Sequence, residues 1–227
     1  DCIVNNQLMI NDSDIIVIAQ KIISKAENRY VDLNTIEISE EAKNLSKKLE
    51  KNEGLIQAII NESNKILSTK KNVIIVEHKL GFINVNAGID LSNVPSENLA
   101  LLLPEDPKKS AKNIQTDLSK KLNKNISVII TDSMTRPYRS GVINFALASH
   151  NILSLKDLKG HDDIYGRKLK GTEVAIADEL ASAAGLLMGQ SNEKKPVIVI
   201  KGFSNNTQKT SNAFDLIVSE NEDLYRQ

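Results

Sequence analysis

This sequence of 227 residues has few aromatic side chains and no formal net charge. Tryptophan is absent and 4% of the residues are aromatic, so stacking platforms for nucleic-acid bases are not expected. Lys and Arg together number 29, and Asp and Glu also number 29, which gives a formal net charge of zero. Proteins that bind duplex nucleic acid or an anionic membrane surface usually carry a basic excess. The composition therefore excludes those partner classes, and any anionic ligand needs a local cluster of charges.

Cysteine and long apolar runs are also missing. The single cysteine, Cys2, cannot form an internal disulfide or a cysteine-based metal site, which favours a reducing, cytoplasmic location. No apolar run approaches the roughly 18 residues of a membrane span. We therefore expect neither a membrane partner nor a secreted, disulfide-stabilised protein.

The common nucleotide and hydrolase signatures are absent as well. No two glycines stand two residues apart, so the sequence has no G-x-G-x-x-G fingerprint, and it has no G-x-x-x-x-G-K-[ST] phosphate loop. The three histidines lack paired metal-ligand spacing, and no serine lies in a G-x-S-x-G elbow. Any catalytic site must therefore use a less common set of residues.

Short β-branched runs and amphipathic segments predict an α+β fold with a mixed sheet and flanking helices. We expect one domain over residues 1–227, with two small lobes as the alternative. The expected strands are 14–19, 73–76, 99–103, 127–131 and 197–200, with a hairpin in 79–93. The expected helices follow Ser39 to about residue 51, follow Gly54 as far as Leu67, follow Ser110 to Leu122, and run from Thr172 to Gly189. Residues 134–171 are predicted to form a long functional or dimer-forming connection.

Oxygen-bearing side chains follow two of these segments. Gly88 permits a sharp turn, so Asp90 and Asn93 are expected to project from one loop, while Asp132 and Ser133 directly follow the strand at 127–131. Carboxylate, amide and hydroxyl oxygens are the ligands of hard cations such as Mg²⁺ and Mn²⁺. The spacing leaves an alternative open, because the same residue types cap turns and helices without binding a ligand.

Basic side chains form two further candidates. Arg136 and Arg139 flank a Pro-Tyr pair, and Arg167 follows later; arginine suits bidentate contact with phosphate or carboxylate. Lys21 and Lys25 stand four residues apart and would share one face of a helix beside a phosphate. Surface ion pairs remain the alternative for the arginines, and solvated charges remain the alternative for the lysines.

In order along the chain, these segments resemble the coenzyme F420-0:L-glutamate ligase family, the γ-glutamyl ligases of the deazaflavin coenzyme F420. The resemblance extends from about Asp14 to Arg226. It is carried by these stretches: 18–21, 24–27, 86–90, 92–94, 103–107, 131–133, 136–139, Asp163 with 166–167, 177–181, 188–189, 215–217 and 222–226.

The resemblance implies GTP-dependent amide ligation. GTP would phosphorylate the terminal carboxylate of F420-0, and the α-amine of L-glutamate would then attack the acyl phosphate; further glutamate would be added through γ-linkages. The resemblance also implies a two-lobed ligase fold that forms an intertwined homodimer. Its partners would be small molecules, with no nucleic-acid polymer and no membrane.

Site roles follow from the same resemblance. Asp90 and Asp132 match the ligands of one Mn²⁺ or Mg²⁺, Ser133 and Gln190 match ligands of a second ion, and K⁺ is also expected. The GTP-contacting positions are matched by Gln20, Lys21, Lys25, Asn93 and a loop that begins at Met188 and Gly189. Arg136, Arg139 and Arg167 have no assigned role, and our hypothesis is that one of them meets the substrate phosphate or the glutamate carboxylates.

The resemblance leaves two alternatives open. The N-terminal strand of the family, whose loop helps to bind GTP, is expected to be missing or diverged here. One alternative is a related GTP- and metal-dependent ligase that acts on a different acid. The other, which the missing strand would favour, is a nucleotide- and metal-binding homologue without turnover.

Overall fold

A computed structural model describes residues 8–203 and 210–225. Cys2 and Arg226, which entered the predictions above, lie outside these residues. The chain divides into two compact units. The first unit comprises residues 1–19, 106–133 and 143–227, and the second comprises residues 20–105 and 134–142.

The described residues form eleven strands and five α-helices, together with two short 3₁₀ turns at Asn86–Gly88 and Ala213–Leu216. In chain order the elements are β1 (Ile15–Ala19), α1 (Gln20–Ala26), β2 (Tyr30–Asp32), α2 (Glu40–Leu49), α3 (Glu53–Asn61), β3 (Ser63–Lys70), β4 (Val73–His78), β5 (Ile83–Val85), β6 (Leu99–Leu101), α4 (Pro107–Leu122), β7 (Ser127–Arg136), β8 (Arg139–His150), β9 (Lys156–Asp157), β10 (Glu173–Val174), α5 (Ile176–Met188) and β11 (Val197–Ile200).

A four-stranded sheet in the order β11-β1-β7-β8 organises the first unit. β1 pairs antiparallel with β11 and parallel with β7, so the sheet is mixed and the predicted α+β class is confirmed. The residues of β1 from Ile15 to Ile18 are all buried, as expected for an apolar run covered on both faces. One face packs against α5, whose small residues Ala177, Ala181 and Ala184 belong to the same core cluster as Ile15 and Val17.

A three-stranded antiparallel sheet, β3-β4-β5, organises the second unit together with α2 and α3. Its core contains Leu49, Ile56, Ile59, Ile74 and Val76, all of them fully or nearly fully buried. At about 25 cal/mol per Å² of apolar surface, each such side chain contributes roughly 1.5–3 kcal/mol through burial. This core holds the loop that carries Asp90, described below.

Two predicted helices have different bounds. The prediction that the helix after Gly54 continues to Leu67 is wrong: α3 ends at Asn61, and Ile66 pairs with Val76 in the β3–β4 ladder. The predicted cap at Ser110 is also wrong, because Asp106 caps α4 by accepting a hydrogen bond from the Lys109 N–H at 2.9 Å. Pro at the first position of α4 suits this start, since the first N–H groups of a helix have no partner within it.

The predicted long connection over residues 134–171 is wrong. β7 continues through Asp132 and Ser133, turns at Pro137 and Tyr138, and returns as β8. Farther on, β9 pairs with β10, so α5 begins at Ile176 and not at Thr172. The predicted end of α5 at Gly189 and the predicted cap of α2 at Ser39 are confirmed.

Among the described residues, none of the five helices has the length and apolar character needed to span a membrane.

Candidate functional site

A carboxylate, an amide and two ammonium groups meet in the second unit. Gln20, near the start of α1, is buried, and its Oε1 accepts a hydrogen bond from Ser24 Oγ at 2.8 Å. This bond orients the amide, so that Gln20 Nε2 donates to Asp90 Oδ2 at 2.9 Å. Lys21 Nζ lies 3.2 Å from Asp90 Oδ1. Gln20 and Lys21 are thus both in contact with the predicted metal ligand, although they precede it by about 70 residues.

The two lysines also hold the loop that follows Asp90. Lys21 Nζ donates to the carbonyl oxygen of Ser92 at 3.3 Å and to its Oγ at 3.2 Å. Lys25 Nζ donates to the carbonyl oxygen of Asn93 at 2.7 Å. As the spacing indicated, Lys21 and Lys25 act from one side of α1. Ser92 is an additional contact that the spacing does not reveal.

Burial alters the electrostatics of Asp90. Desolvation raises the pKa of this carboxyl above its ordinary value, and the Lys21 ammonium and the Gln20 amide offset only part of that rise. An aspartate that is removed from water in this way gains strongly from a nearby cation. The pairing with Lys21 therefore offsets part of the desolvation of the Asp90 carboxylate.

The backbone before Asp90 is held in a rarely used conformation. Asn86, Ala87 and Gly88 have φ values of 52°, 54° and 66°, all in the left-handed region. A non-glycine residue there costs on the order of 1–2 kcal/mol. In addition, Asn86 Oδ1 is buried without a hydrogen-bond partner among the described residues. Strain of this kind persists only where the surroundings enforce it, and it clusters at functional sites.

Asp90 itself is fixed by main-chain hydrogen bonds to β6. Its N–H donates to the Leu101 carbonyl at 3.0 Å, and its carbonyl accepts from the Leu101 N–H at 2.9 Å. Gly88 is needed nearby, since a Cβ there would lie 2.9 Å from Leu103 Cδ1. The chain directly after the strained segment is therefore anchored to β6.

A polar chain of side chains lies in the first unit. Thr131 Oγ1 donates to the Phe145 carbonyl at 2.7 Å and accepts from Asn144 Nδ2 at 3.3 Å. Asn144 Oδ1 accepts from Gln190 Nε2 at 2.8 Å. The two amide atoms of Gln190 lie on opposite sides of Cδ, so Oε1 faces away from Asn144. Gln190, one of the predicted ligands, thus keeps an amide oxygen for another partner.

The sequence does not single out Asn144, which lies on β8 and is buried among apolar neighbours. A polar residue inside an otherwise apolar strand is the signal that would have found it. Gly185 on α5 packs directly against the Asn144 side chain, and a Cβ at position 185 would overlap Asn144 Oδ1. A glycine at this position therefore allows Asn144 to lie between Thr131 and Gln190.

A loop at the end of α5 surrounds a carboxylate. α5 ends at Gly189, with φ 75°, and the Ser191 N–H donates to Glu193 Oε2 at 2.9 Å. Hydrogen bonds from the main chain of Ser191 and of Glu193 itself lower the pKa of the Glu193 carboxyl. Consecutive main-chain N–H groups that converge on one anion form a nest. Met188 is buried in the core, and the main chain after it is turned towards the Glu193 carboxylate.

Another buried carboxylate lies near the start of α5. Asp178 Oδ1 accepts a hydrogen bond from the Ala146 N–H on β8 at 2.8 Å, and burial raises the pKa of Asp178. In the sequence, Asp178 belongs to the stretch 177–181 that carries the family resemblance, and it has no assigned role. Its contact with Ala146 gives it a structural role between helix and sheet.

The donors present suit hard cations. No group of three or more His, Cys, Asp or Glu side chains within residues 8–203 and 210–225 is arranged to hold a metal ion. Each oxygen of Asp90 accepts one donor and keeps a second lone pair, and Gln190 offers Oε1. Such oxygens fit Mg²⁺ or Mn²⁺ where a phosphate completes the coordination.

The three arginines differ in their exposure and in the unit to which they belong. Arg167 belongs to the first unit and is exposed, 4.0 Å from Asp163 Oδ2 and over the ring of Tyr165. Arg139 and Arg136 belong to the second unit; Arg139 is exposed, whereas Arg136 is partly buried. The three residues thus stand in different environments.

Comparison with known proteins assigns the chain to a family. A sequence model described as F420-0:Gamma-glutamyl ligase matches residues 1–202. The chain belongs to this family. The resemblance drawn from the motifs is confirmed, and as an F420-0:γ-glutamyl ligase family member the protein is an enzyme that forms a carbon–nitrogen bond.

Named relatives of this γ-glutamyl ligase family member are similar over most of their length. The coenzyme F420:L-glutamate ligase of Methanocaldococcus jannaschii is 43% identical over 220 residues, which cover 97% of this chain and 87% of the relative. The protein of the same name from Methanococcus maripaludis is 43% identical over 221 residues, covering 96% and 86%. That of Methanothermobacter thermautotrophicus is 42% identical over 192 residues, covering 85% and 76%.

Proposed function

We propose that this protein is a GTP-dependent ligase that joins L-glutamate to the terminal carboxylate of F420-0. Membership of the γ-glutamyl ligase family and the names of the similar proteins support this substrate pair. The observation that carries the proposal is the partly buried Asp90 carboxylate, held by Gln20 and Lys21 beside a strained backbone. A structural ion pair alone would not require that strain.

The proposed reaction has two steps. The γ-phosphoryl group of GTP is transferred to a carboxylate oxygen of F420-0, which releases GDP and leaves an acyl phosphate. The amine of L-glutamate then attacks the carbonyl carbon, the carbon–oxygen bond to phosphate breaks, and the nitrogen loses a proton. Phosphorylation is needed because a carboxylate is a poor electrophile, and holding both reactants in line supplies much of the rate. Further glutamates would be added by the same chemistry through γ-linkages.

Lys21 and Lys25 would contact the GTP phosphates. In the structure both ammonium groups donate to oxygens of residues 92–93, so their positions are already fixed. Phosphate oxygens carry negative charge, so they attract an ammonium group more strongly than neutral carbonyl and hydroxyl oxygens do. Gln20, Asn93 and the loop at Met188 and Gly189 complete the proposed nucleotide contacts.

The proposed metal ligands are Asp90 in the second unit, and Asp132, Ser133 and Gln190 in the first. Two divalent ions and K⁺ are proposed to bind. Bound divalent cations would neutralise phosphate charge during phosphoryl transfer. A cytoplasmic location and assembly as a homodimer also belong to the proposal.

Incubation of the purified chain with GTP, Mn²⁺, L-glutamate and F420-0, followed by mass spectrometry, tests the proposed function. We expect a product one glutamyl residue heavier than F420-0, with one GDP formed for each amide bond. GTP turnover that depends on glutamate but requires another acid would instead favour a related ligase. A chain that consumes no GTP and makes no adduct would refute the proposal.

A further inference from the structure

A buried cationic nitrogen without a partner lies on the β7–β8 hairpin. Arg136 Nη1 is inaccessible to solvent and has no hydrogen-bond partner among the described residues. The other terminal nitrogen, Nη2, donates to the Ser140 carbonyl at 3.4 Å, which is a long hydrogen bond. A buried donor without an acceptor has lost its hydrogen bonds to water, and this loss costs more when the group is charged. Such a group in a native fold is explained by a bound ion or by a functional role.

The turn that follows Arg136 is restricted in its backbone and exposed at the surface. Pro137 restricts its own backbone to φ near −65°. Tyr138, with φ 59°, occupies the left-handed region, and Gly141 follows with φ 83°. The Tyr138 residue is 94% exposed, so the turn lies at the surface, directly after the partly buried Arg136.

The charge pattern around Arg136 favours an anion. From Ser133 to Lys156 the sequence contains no Asp or Glu, whereas it contains Arg136, Arg139 and Lys156. This concentration of positive charge occurs in a chain whose formal net charge is zero. The hairpin residues of the second unit, 134–142, thus carry two of these positive charges and no negative one.

The other two candidate arginines lack this combination. The side chain of Arg167 is 78% exposed and already lies near Asp163 and the Tyr165 ring. Arg139 is exposed. A solvated guanidinium keeps its hydrogen bonds to water, so the N–H donors of Arg139 and Arg167 do not depend on a bound acceptor.

We infer that Arg136 binds an oxyanion of one of the two organic substrates, a carboxylate of the amino acid or a phosphate of the acceptor. This inference rests on the proposed function. A guanidinium presents its N–H groups in a planar fork, and two oxygens of a carboxylate or phosphate match that fork. Arg136 thus selects and orients a substrate, and it takes no part in proton or phosphoryl transfer.

Three variants of the full chain test the inference. Arg136→Met roughly keeps the length of the side chain but removes the positive charge and the N–H donors of the guanidinium. Arg136→Lys keeps the positive charge but not the planar guanidinium. Arg139→Met is the matched control on the same hairpin. Calorimetric titration with L-glutamate and with F420-0 measures each Kd without turnover, and steady-state assays measure kcat and KM for both substrates and for GTP.

We expect Arg136→Met to weaken the binding of one organic substrate by about 10- to 150-fold, the range for a charged hydrogen-bonded contact. Arg136→Lys should retain part of the affinity, and Arg139→Met should stay within about twofold of the wild type. A weaker Kd for L-glutamate identifies a carboxylate as the ligand, and a weaker Kd for F420-0 identifies the phosphate-bearing acceptor.

Unchanged Kd and KM for both organic substrates in Arg136→Met would overturn the inference. A lower melting temperature together with unchanged affinities would do the same, because it would assign Arg136 a structural role. If the wild type makes no adduct, the proposed function fails, and the calorimetric titrations still decide the inference. Failure of the wild type to bind either organic substrate would overturn both.

Discussion

Replacing His78 with asparagine would show how far one buried imidazole limits the stability of the protein in acid. His78 ends β4 and is 3% exposed, with its ring stacked on Phe82 at a centroid distance of 5.0 Å. Its Nδ1 accepts a hydrogen bond from the Leu80 N–H at 3.0 Å, so this nitrogen carries no proton. Nε2 is buried without a hydrogen-bond partner among the described residues and lies 3.8 Å from Glu62 Oε2.

These surroundings disfavour the protonated ring. Burial, followed by the positive charges of Lys79 and Arg29, lowers the pKa of His78 from 6.5 to about 4. The unfolded chain therefore takes up this proton at a higher pH than the folded chain does. Stability should begin to fall as the pH drops below about 6.5, and the loss should be complete below about 4.

The size of the loss follows from the two pKa values. At about 1.4 kcal/mol per pKa unit, the full difference corresponds to about 3 kcal/mol, and about 2 kcal/mol of it should be lost by pH 5. This is a large share of a typical unfolding free energy of about 5–15 kcal/mol.

The assay is urea unfolding between pH 7.5 and 4.5 for the wild type and His78→Asn. Asn Oδ1 can still accept the Leu80 N–H but does not titrate. The variant should be less stable at pH 7.5, because it loses the stacking on Phe82, and the gap should narrow by about 2 kcal/mol at pH 5. His161→Asn, a change at an exposed histidine, should follow the wild type. A gap that does not change with pH would refute a neutral, buried His78.

Three other substitutions probe the site and the fold. Asp90→Asn should reduce adduct formation at least about 100-fold while the melting temperature stays near that of the wild type, because a proposed cation ligand is lost; ligation at the wild-type rate would contradict the metal assignment. Gly88→Ala should lower the free energy of unfolding by about 1–3 kcal/mol in urea, since its φ is 66° and its Cβ would press on Leu103; an unchanged midpoint would show that the turn can relax. Ser39→Ala should cost about 1 kcal/mol, because it removes the side-chain cap of α2, and a cost near zero by the same measurement would mean that water replaces the cap.

Much of the fold could be predicted where the signal is local. β1 and β11 are continuous apolar runs, and the Ser39 cap and the Gly189 end of α5 depend on a few neighbouring residues. The spacing of Ile66 from the isoleucines after Gly54 fits a helix and predicts one there. Its pairing with Val76 outweighs that local preference, and sequence spacing does not reveal such a partner.

The β7–β8 hairpin was missed for a related reason. Its turn uses Pro137 and a left-handed Tyr138, whereas the usual signal for a tight hairpin is glycine or asparagine at the left-handed positions. Residues 134–150, predicted as part of a long connection, therefore belong largely to β7 and β8. For the same reason, Asp132 and Ser133 lie within β7 and not beyond its end.

The candidate site was predicted in part. The helical spacing of Lys21 and Lys25 and the turn at Gly88 are local features, and they led to residues that meet at Asp90. Asn144 and Glu193 could not be found this way. Asn144 depends on a neighbouring strand and on Gly185, and Glu193 depends on the main-chain path after Gly189.

The left-handed turn before Asp90 also ties the position of this proposed metal ligand to the core of the second unit. Ala87 belongs at once to the strained turn and to the apolar core, where it is fully buried. The turn therefore cannot relax unless the core around Ile74 and Val76 loosens. Substitutions that loosen the packing of this core should therefore reduce the ligase activity at temperatures where the chain is still folded. Heat tolerance of activity in this protein would then be set by one local element, and not by the melting point of the whole chain.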